Sequence, residues 1–162
     1  RERNALEKGG TVTELASYPL LAIIKLLGID YEDVKFYSSC FDNQGIDKYT
    51  KILLKYKTAI ATAQVGLGVK KEGELIISGT KGYIYVPAPW WKTEYFEIRF
   101  EDLSMTEKYF YKFNGDGLRY EITEFLKAIN NNYQNISLQA NESIAIIEII
   151  EKFLNNENVS LI

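Results

Sequence analysis

The chain has 162 residues and a net charge of −3, from 19 Lys and Arg against 22 Asp and Glu, so it offers no basic field for phosphate-driven nucleic-acid binding. There is no histidine and only one cysteine, Cys40, which removes imidazole bases, His-based triads, internal disulfides and most zinc sites; no metal site is expected. The 46% apolar and 25% charged content fits one globular domain spanning 1–162, and no apolar run reaches the ~20 residues of a membrane helix.

The opening RERNALEKGG is charged, lacks the apolar core of a signal peptide and has no initiator Met, which suggests a fragment or a processed chain. A lone thiol inside FYSSCFD reads as a small strand residue and agrees with a reducing, cytoplasmic setting. Residues 11 to 27 place Val12, Leu15, Ala16, Pro19, Leu20, Ile23 and Leu27 at steps of three and four, one apolar helix stripe, with Gly28 as its stop. Pro19 has no N–H to give the helical ladder, which predicts a kink or break there.

A β-rich middle follows. DVKFYSSCF has strand composition, and KILLKYKTAIATAQVGL reads as two strands turning near Lys57 and Thr58. ELIISGTKGYIYVPA reads as a hairpin turning at Thr80, Lys81 and Gly82. EYFEIRFED alternates, with Phe96, Ile98 and Phe100 on one face and Tyr95, Glu97 and Arg99 on the other; EKYFYKF puts Tyr109, Tyr111 and Phe113 on one face. Two amphipathic helices close the chain, one built on Leu118, Ile122, Phe125, Leu126 and Ile129, the other on Ile144, Ile147, Ile150 and Leu154, with NNNYQN as the loop between them.

Strands in a run followed by helices predict an α+β fold: a large, mostly antiparallel or mixed sheet with helices on one face and the other face open. Tyr83, Tyr85, Tyr95, Tyr109 and Tyr111 at alternate positions would make that open face adhesive, a surface for a homodimer or higher homo-oligomer; otherwise they cover a solvated sheet.

Three stretches invite a chemical reading. GLGVKKEG at 66 to 73 has the glycines of a dinucleotide loop but lies between two strands rather than between a strand and a helix, so it reads as a connection. APWW at 88 to 91 sets Trp90 and Trp91 on a proline-stiffened loop, to stack on a sugar or cofactor ring or to plug the loop from beneath. Glu14 and Tyr18, at i and i+4, share one helix face away from the apolar stripe; a carboxylate beside a phenol can orient it while the phenol passes a proton to a substrate oxygen. Against this, Thr11 and Glu14 match a Thr-x-x-Glu capping box, which would account for Glu14 without catalysis.

Four segments in order, GGTVTELASYPL, GELIISGTKGYIYVPAPW, GLRYEITEFLKAI and NESIAIIEIIEKF, resemble the second, C-terminal domain of the Gfo/Idh/MocA family of NAD(P)-dependent oxidoreductases acting on sugars, cyclitols and related alcohols. The resemblance implies a substrate-binding and oligomerisation domain, with the Rossmann half, its glycine loop and its Glu-Lys-Pro segment with the catalytic lysine not in this chain. It implies NAD or NADP in the full-length protein and none on this part alone, a small sugar-like substrate, and no nucleic-acid or membrane partner. Carried over by position, it makes Glu14 the acidic residue and Tyr18 the proton-handling residue, the Tyr variant resembling the glucose–fructose oxidoreductase branch; Glu14 stands where Asp is usual and Ala16 where Gly is usual. Trp90 and Trp91 would lie near substrate or at the subunit contact. The alternative is a non-enzymatic α+β module binding protein or carbohydrate through its Tyr-rich sheet.

Overall fold

Helix begins at Thr11 in the computed structural model, which describes residues 9–41, 45–67, 69–112, 114–115, 117–131 and 138–162. The elements in chain order are α1 (Thr11–Leu15), α2 (Ser17–Leu27), β1 (Asp33–Cys40), β2 (Asp47–Lys55), β3 (Ile60–Gly66), β4 (Leu75–Ser78), β5 (Gly82–Val86), β6 (Tyr95–Phe100), a 3-10 turn at Leu103–Met105, β7 (Glu107–Phe110), α3 (Gly117–Asn131), α4 (Ala140–Leu154) and β8 (Val159–Leu161). They group into two compact units, Arg1–Lys70 with Ile136–Ile162, and Lys71–Asn135.

In the first unit the helix divides at Ala16. Pro19 cannot donate to the Leu15 carbonyl and its ring crowds that oxygen, so the break expected at the proline falls about one turn earlier. Ala16 stays in helical torsions, and the bonds from its N–H to the Val12 carbonyl (3.1 Å) and from the Leu20 N–H to its own carbonyl (3.0 Å) bridge the two pieces. Gly28 ends α2 with φ 85°, a torsion that suits glycine.

The sheet of this unit runs β3-β2-β1-β8. β1, β2 and β3 are an antiparallel meander whose second turn closes with the Tyr56 N–H on the Ala59 carbonyl at 2.8 Å. β8, a strand after the last helix that hydrophobic patterning did not reveal, pairs parallel with β1 and makes the sheet mixed. Val34, Phe36, Ile52, Leu54, Ala63 and Val65 point to one face and meet Val12, Ala16, Leu20, Ile23 and Ile24 of α1 and α2 and Ala145, Ile146, Ile149 and Ile150 of α4. The other face shows Lys35, Tyr37, Lys55 and Thr62 to solvent, as a sheet covered by helices on one side requires.

The second unit is an antiparallel sheet in the order β4-β5-β6-β7. Its β4–β5 turn closes with the Gly79 N–H on the Gly82 carbonyl at 2.8 Å, the hairpin expected there. At Gly82 a side chain is excluded, because a Cβ would stand 2.5 Å from the Arg99 carbonyl oxygen. Register splits the tyrosines between faces: Tyr83 pairs with Arg99 and Tyr85 with Glu97, while Tyr109 pairs with Phe96. Tyr83, Tyr85 and Tyr95 therefore share the face of Glu97 and Arg99, and Tyr109 takes the opposite face with Phe96 and Ile98, so the five tyrosines do not form one surface. Phe113 lies outside the described residues, as does most of the NNNYQN segment. Leu118, Ile122, Phe125, Leu126 and Ile129 share a face of α3 and are exposed. Together the two units make an α+β protein.

Candidate active site

The start of the first helix is closed by neighbours other than those its Thr-x-x-Glu pattern suggests. Gly10 is the cap residue, in extended torsions; its N–H donates to the Thr13 hydroxyl (2.8 Å) and its carbonyl accepts from the Glu14 N–H (3.0 Å). Thr11 is the first helical residue and turns its hydroxyl inward to Asp47. The expected Thr11–Glu14 box is thus replaced by Thr13 acting on Gly10, and the Glu14 carboxylate is left out of the cap. It folds back over Gly9, where any Cβ would collide with Oε1.

Tyr18, on the first turn of α2, is 60% exposed, and Glu14 is exposed beside it in sequence, both away from buried Val12, Ala16 and Leu20. Neither side chain is engaged in a hydrogen bond among the described residues. A phenol and a carboxylate in water on a helix rooted in a packed core are free to meet a ligand, and the helix fixes where they meet it.

Trp90 and Trp91 belong to the second unit, on the loop after β5 that contains the cis Ala88–Pro89 bond. Their rings meet edge to face at 6.2 Å. The Trp90 N–H donates to the Gly73 carbonyl (2.9 Å), and a Cβ on Gly73 would come within 2.8 Å of the Trp91 ring. Trp91 is braced on one side by a bare backbone and is 62% exposed on the other, a flat apolar surface offered to solvent.

On the β5–β7 face of the same unit lies a polar group that alternation marked only as a face. Buried Glu97 accepts from the Tyr95 hydroxyl and the Arg99 Nε, with Lys108 Nζ at 3.8 Å. Arg99 also donates to the Tyr83 hydroxyl (3.3 Å) and lies 4.6 Å from the Tyr85 ring centroid. The Tyr83 hydroxyl first, then Glu97, hold the guanidinium above its ordinary basicity. An open cleft of about 430 Å³ is lined here by Tyr83, Glu97, Arg99, Leu103, Thr106 and Lys108.

The sequence reading also missed Asp47, a carboxylate only 6% exposed beneath α1. No local pattern marks it. The glycines at 66 to 73 run from the last residue of β3 towards β4, with no helix following, and Gly68 is outside the described residues. This connection does not supply the strand–loop–helix cradle that a dinucleotide pyrophosphate needs. Among the described residues no group of three or more acidic or Cys side chains is placed to hold a metal, and no helix is long and apolar enough to cross a membrane.

No family model and no curated protein matches the chain. Solved structures do. KijD10, a 3-ketoreductase from Actinomadura kijaniata in complex with TDP-benzene and NADP, superposes in its open conformation with a TM-score of 0.79 at 16% identity, covering 95% of this chain and 48% of its own. UDP-N-acetylglucosamine 3-dehydrogenase GnnA from Acidithiobacillus ferrooxidans gives 0.73 at 14%, covering 88% of this chain and 45% of its own. The chain has the fold of part of these sugar-modifying oxidoreductases. It spans about half the length of each.

Proposed function

We propose that the chain is the substrate-binding and oligomerisation part of an NAD(P)-dependent oxidoreductase of the Gfo/Idh/MocA type, acting at an alcohol or ketone carbon of a sugar, nucleotide-linked sugar or cyclitol in the cytoplasm. Both compact units serve that one domain, and it is not catalytic alone. The observation that carries the reading is the exposed Glu14–Tyr18 face, on a helix rooted in the core, in a chain with the fold of part of two sugar-modifying oxidoreductases.

In this reading the hydride belongs to a nicotinamide held outside this chain. The Tyr18 hydroxyl meets the reacting oxygen of the substrate and gives or takes the proton there, and the Glu14 carboxylate orients the phenol by accepting from it. Trp91 offers its exposed ring to the apolar face of a sugar. The open, tyrosine-bearing sheet is the self-association surface.

Two measurements test this. The complete polypeptide, given NADPH and nucleotide-linked keto sugars, is expected to oxidise the nicotinamide in step with sugar reduction. The 162-residue chain alone is expected to show no tight NADPH binding by calorimetry. Tight binding by the chain alone would place the cofactor site inside it and contradict the proposed division of labour.

A further inference from the structure

Asp47 opens β2, and strict alternation would turn it outward with Tyr49 and Lys51. A bulge reverses it. Ser38 pairs with Thr50 and Ser39 with Tyr49, but Cys40 pairs with Asp47, so Lys48 is an extra residue and Asp47 points to the helix-covered face. There its Oδ2 accepts from the Val12 N–H (2.9 Å), the Thr11 hydroxyl and the Thr50 hydroxyl (3.2 Å), and Thr50 is linked in turn to Ser38 at 2.8 Å. Its Oδ1 lies so close to Gly10 that any Cβ there would collide with it. All these donors are neutral.

A carboxylate buried among neutral donors is costly to desolvate, and its effect here is mechanical. α1 has five residues, too few to hold a helix by its own hydrogen bonds, and it joins α2 through Ala16, where the Ala16–Val12 and Leu20–Ala16 bonds carry the ladder across. Tyr18 stands on α2, which Leu20, Ile23 and Ile24 fix in the core. Glu14 stands on α1, which buried Val12 and Ala16 seat in the same core and whose first turn Asp47 ties down. We propose that Asp47 is a positioning residue: by holding the start of α1 it sets where the Glu14 carboxylate lies relative to the Tyr18 phenol on the far side of Ala16. The bare backbone at Gly10 is the space this carboxylate requires.

The inference rests on Glu14 and Tyr18 being the proton-handling pair, and the test separates the two ideas. In the complete oxidoreductase, Asp47→Ala is expected to lower kcat about tenfold while KM stays within about twofold, because orientation and not binding is lost. Asp47→Asn keeps one acceptor oxygen and is expected to recover most of that loss; it also carries the comparison should the alanine variant not fold. Amide hydrogen exchange should quicken at Val12 and Glu14 in Asp47→Ala, with Phe36 and Ile52 unchanged. The decisive readout is the double variant with Glu14→Gln: once the carboxylate is gone, removing Asp47 should cost little more in kcat, a non-additivity that a general loss of stability would not produce. Turnover lowered by Tyr18→Phe but untouched by Asp47→Ala, or full additivity with Glu14→Gln, would overturn the positioning role alone. Turnover untouched by Tyr18→Phe would overturn the proton-handling reading beneath it.

Discussion

The two units have four strands each and comparable apolar content, yet they are held together differently. In the first, three helices lie on one face of the sheet, and Val12, Leu20, Phe36, Ile52, Leu54 and Ile149 lose all contact with water. In the second, Val86 and Glu97 are the buried side chains among the described residues, and α3 does not pack along any of the four strands. That sheet is braced within its own plane by Phe96 stacked on Tyr109 at 4.8 Å, Tyr95 against Phe110 at 4.7 Å, and the Glu97–Arg99–Tyr83 ladder. Burial against a second layer makes a rigid platform, whereas ladders of rings and charges across neighbouring strands make a surface that stays available. The exposed Glu14 and Tyr18 stand on the platform; the exposed Trp91 stands on the available surface.

The contrast can be broken by mutation, and the largest effect should come from the packed layer. Phe36 is fully buried and meets Phe153 edge to face at 5.3 Å. Phe36→Ala is expected to cost about 3–5 kcal/mol in urea unfolding, the range for a buried ring replaced by a cavity. Phe96→Ala, at a partly buried ring, should cost about 1–2 kcal/mol, since most of what it loses is stacking and partial burial. Equal losses at the two positions would erase the distinction between the units.

A smaller effect lies at the end of α2. The buried Tyr56 ring sends its hydroxyl to the Gly28 carbonyl at 3.0 Å, tying the helix stop to the sheet. Tyr56→Phe should cost about 1 kcal/mol at neutral pH, the net value of one such bond. Burial, with the nearby Tyr31 second, raises the Tyr56 phenol above its usual range. A phenol raised in the folded state contributes stability that is full below its unfolded pKa and is lost as pH rises through the folded value. The native chain should therefore lose more stability than Tyr56→Phe across the alkaline range, measured as the urea midpoint against pH.

The smallest effect belongs to the exposed link between α2 and α4. Lys25 Nζ and Glu142 Oε2 are 2.5 Å apart, and Lys25, followed by the Gln139 N–H, lowers the Glu142 carboxyl below its usual range. A depressed carboxyl gives stability that is present above its unfolded pKa and disappears as pH falls through the folded value. Replacing Glu142 with Gln should flatten that acid-side loss by removing the stability the carboxylate gives above its unfolded pKa, a small decrease as expected of one surface pair.

Much of the architecture was legible where period and composition agree with burial; on α4 they do not, since Ile144, Ile147 and Leu154 of the expected stripe are exposed and Ala145, Ile146, Ile149 and Ile150 are the buried residues. The stripe from Val12 to Ile23 is the core stripe, and the hairpin turns at 56–59 and 79–82 fall where charged, glycine and turn residues punctuate apolar runs. What was not legible depends on long-range register. β8 has three residues and takes its identity from the Phe36–Val159 pairing, which no local pattern encodes. Tyr95 and Tyr109 both alternate correctly within their strands, but which faces coincide is set by the pairing of Phe96 with Tyr109. The Thr11–Glu14 spacing matches a capping box, yet Asp47, 36 residues away, competes successfully for the Thr11 hydroxyl. Asp47 was hidden for the same reason: a single extra residue, Lys48, inverts its side and leaves no trace in the local alternation. Spacing made Glu14 and Tyr18 legible as exposed neighbours on one helix side; their proton-handling role comes from the family resemblance and belongs to the proposal.

The most direct test is turnover of the complete polypeptide carrying Tyr18→Phe, which removes one exposed hydroxyl and nothing from the core. If Tyr18 handles the proton, kcat should fall about 100-fold or more while the urea midpoint stays put. A kcat within about twofold of the native enzyme, roughly 0.4 kcal/mol in barrier, would show that the proton travels another way and that the Glu14–Tyr18 face is only solvated surface.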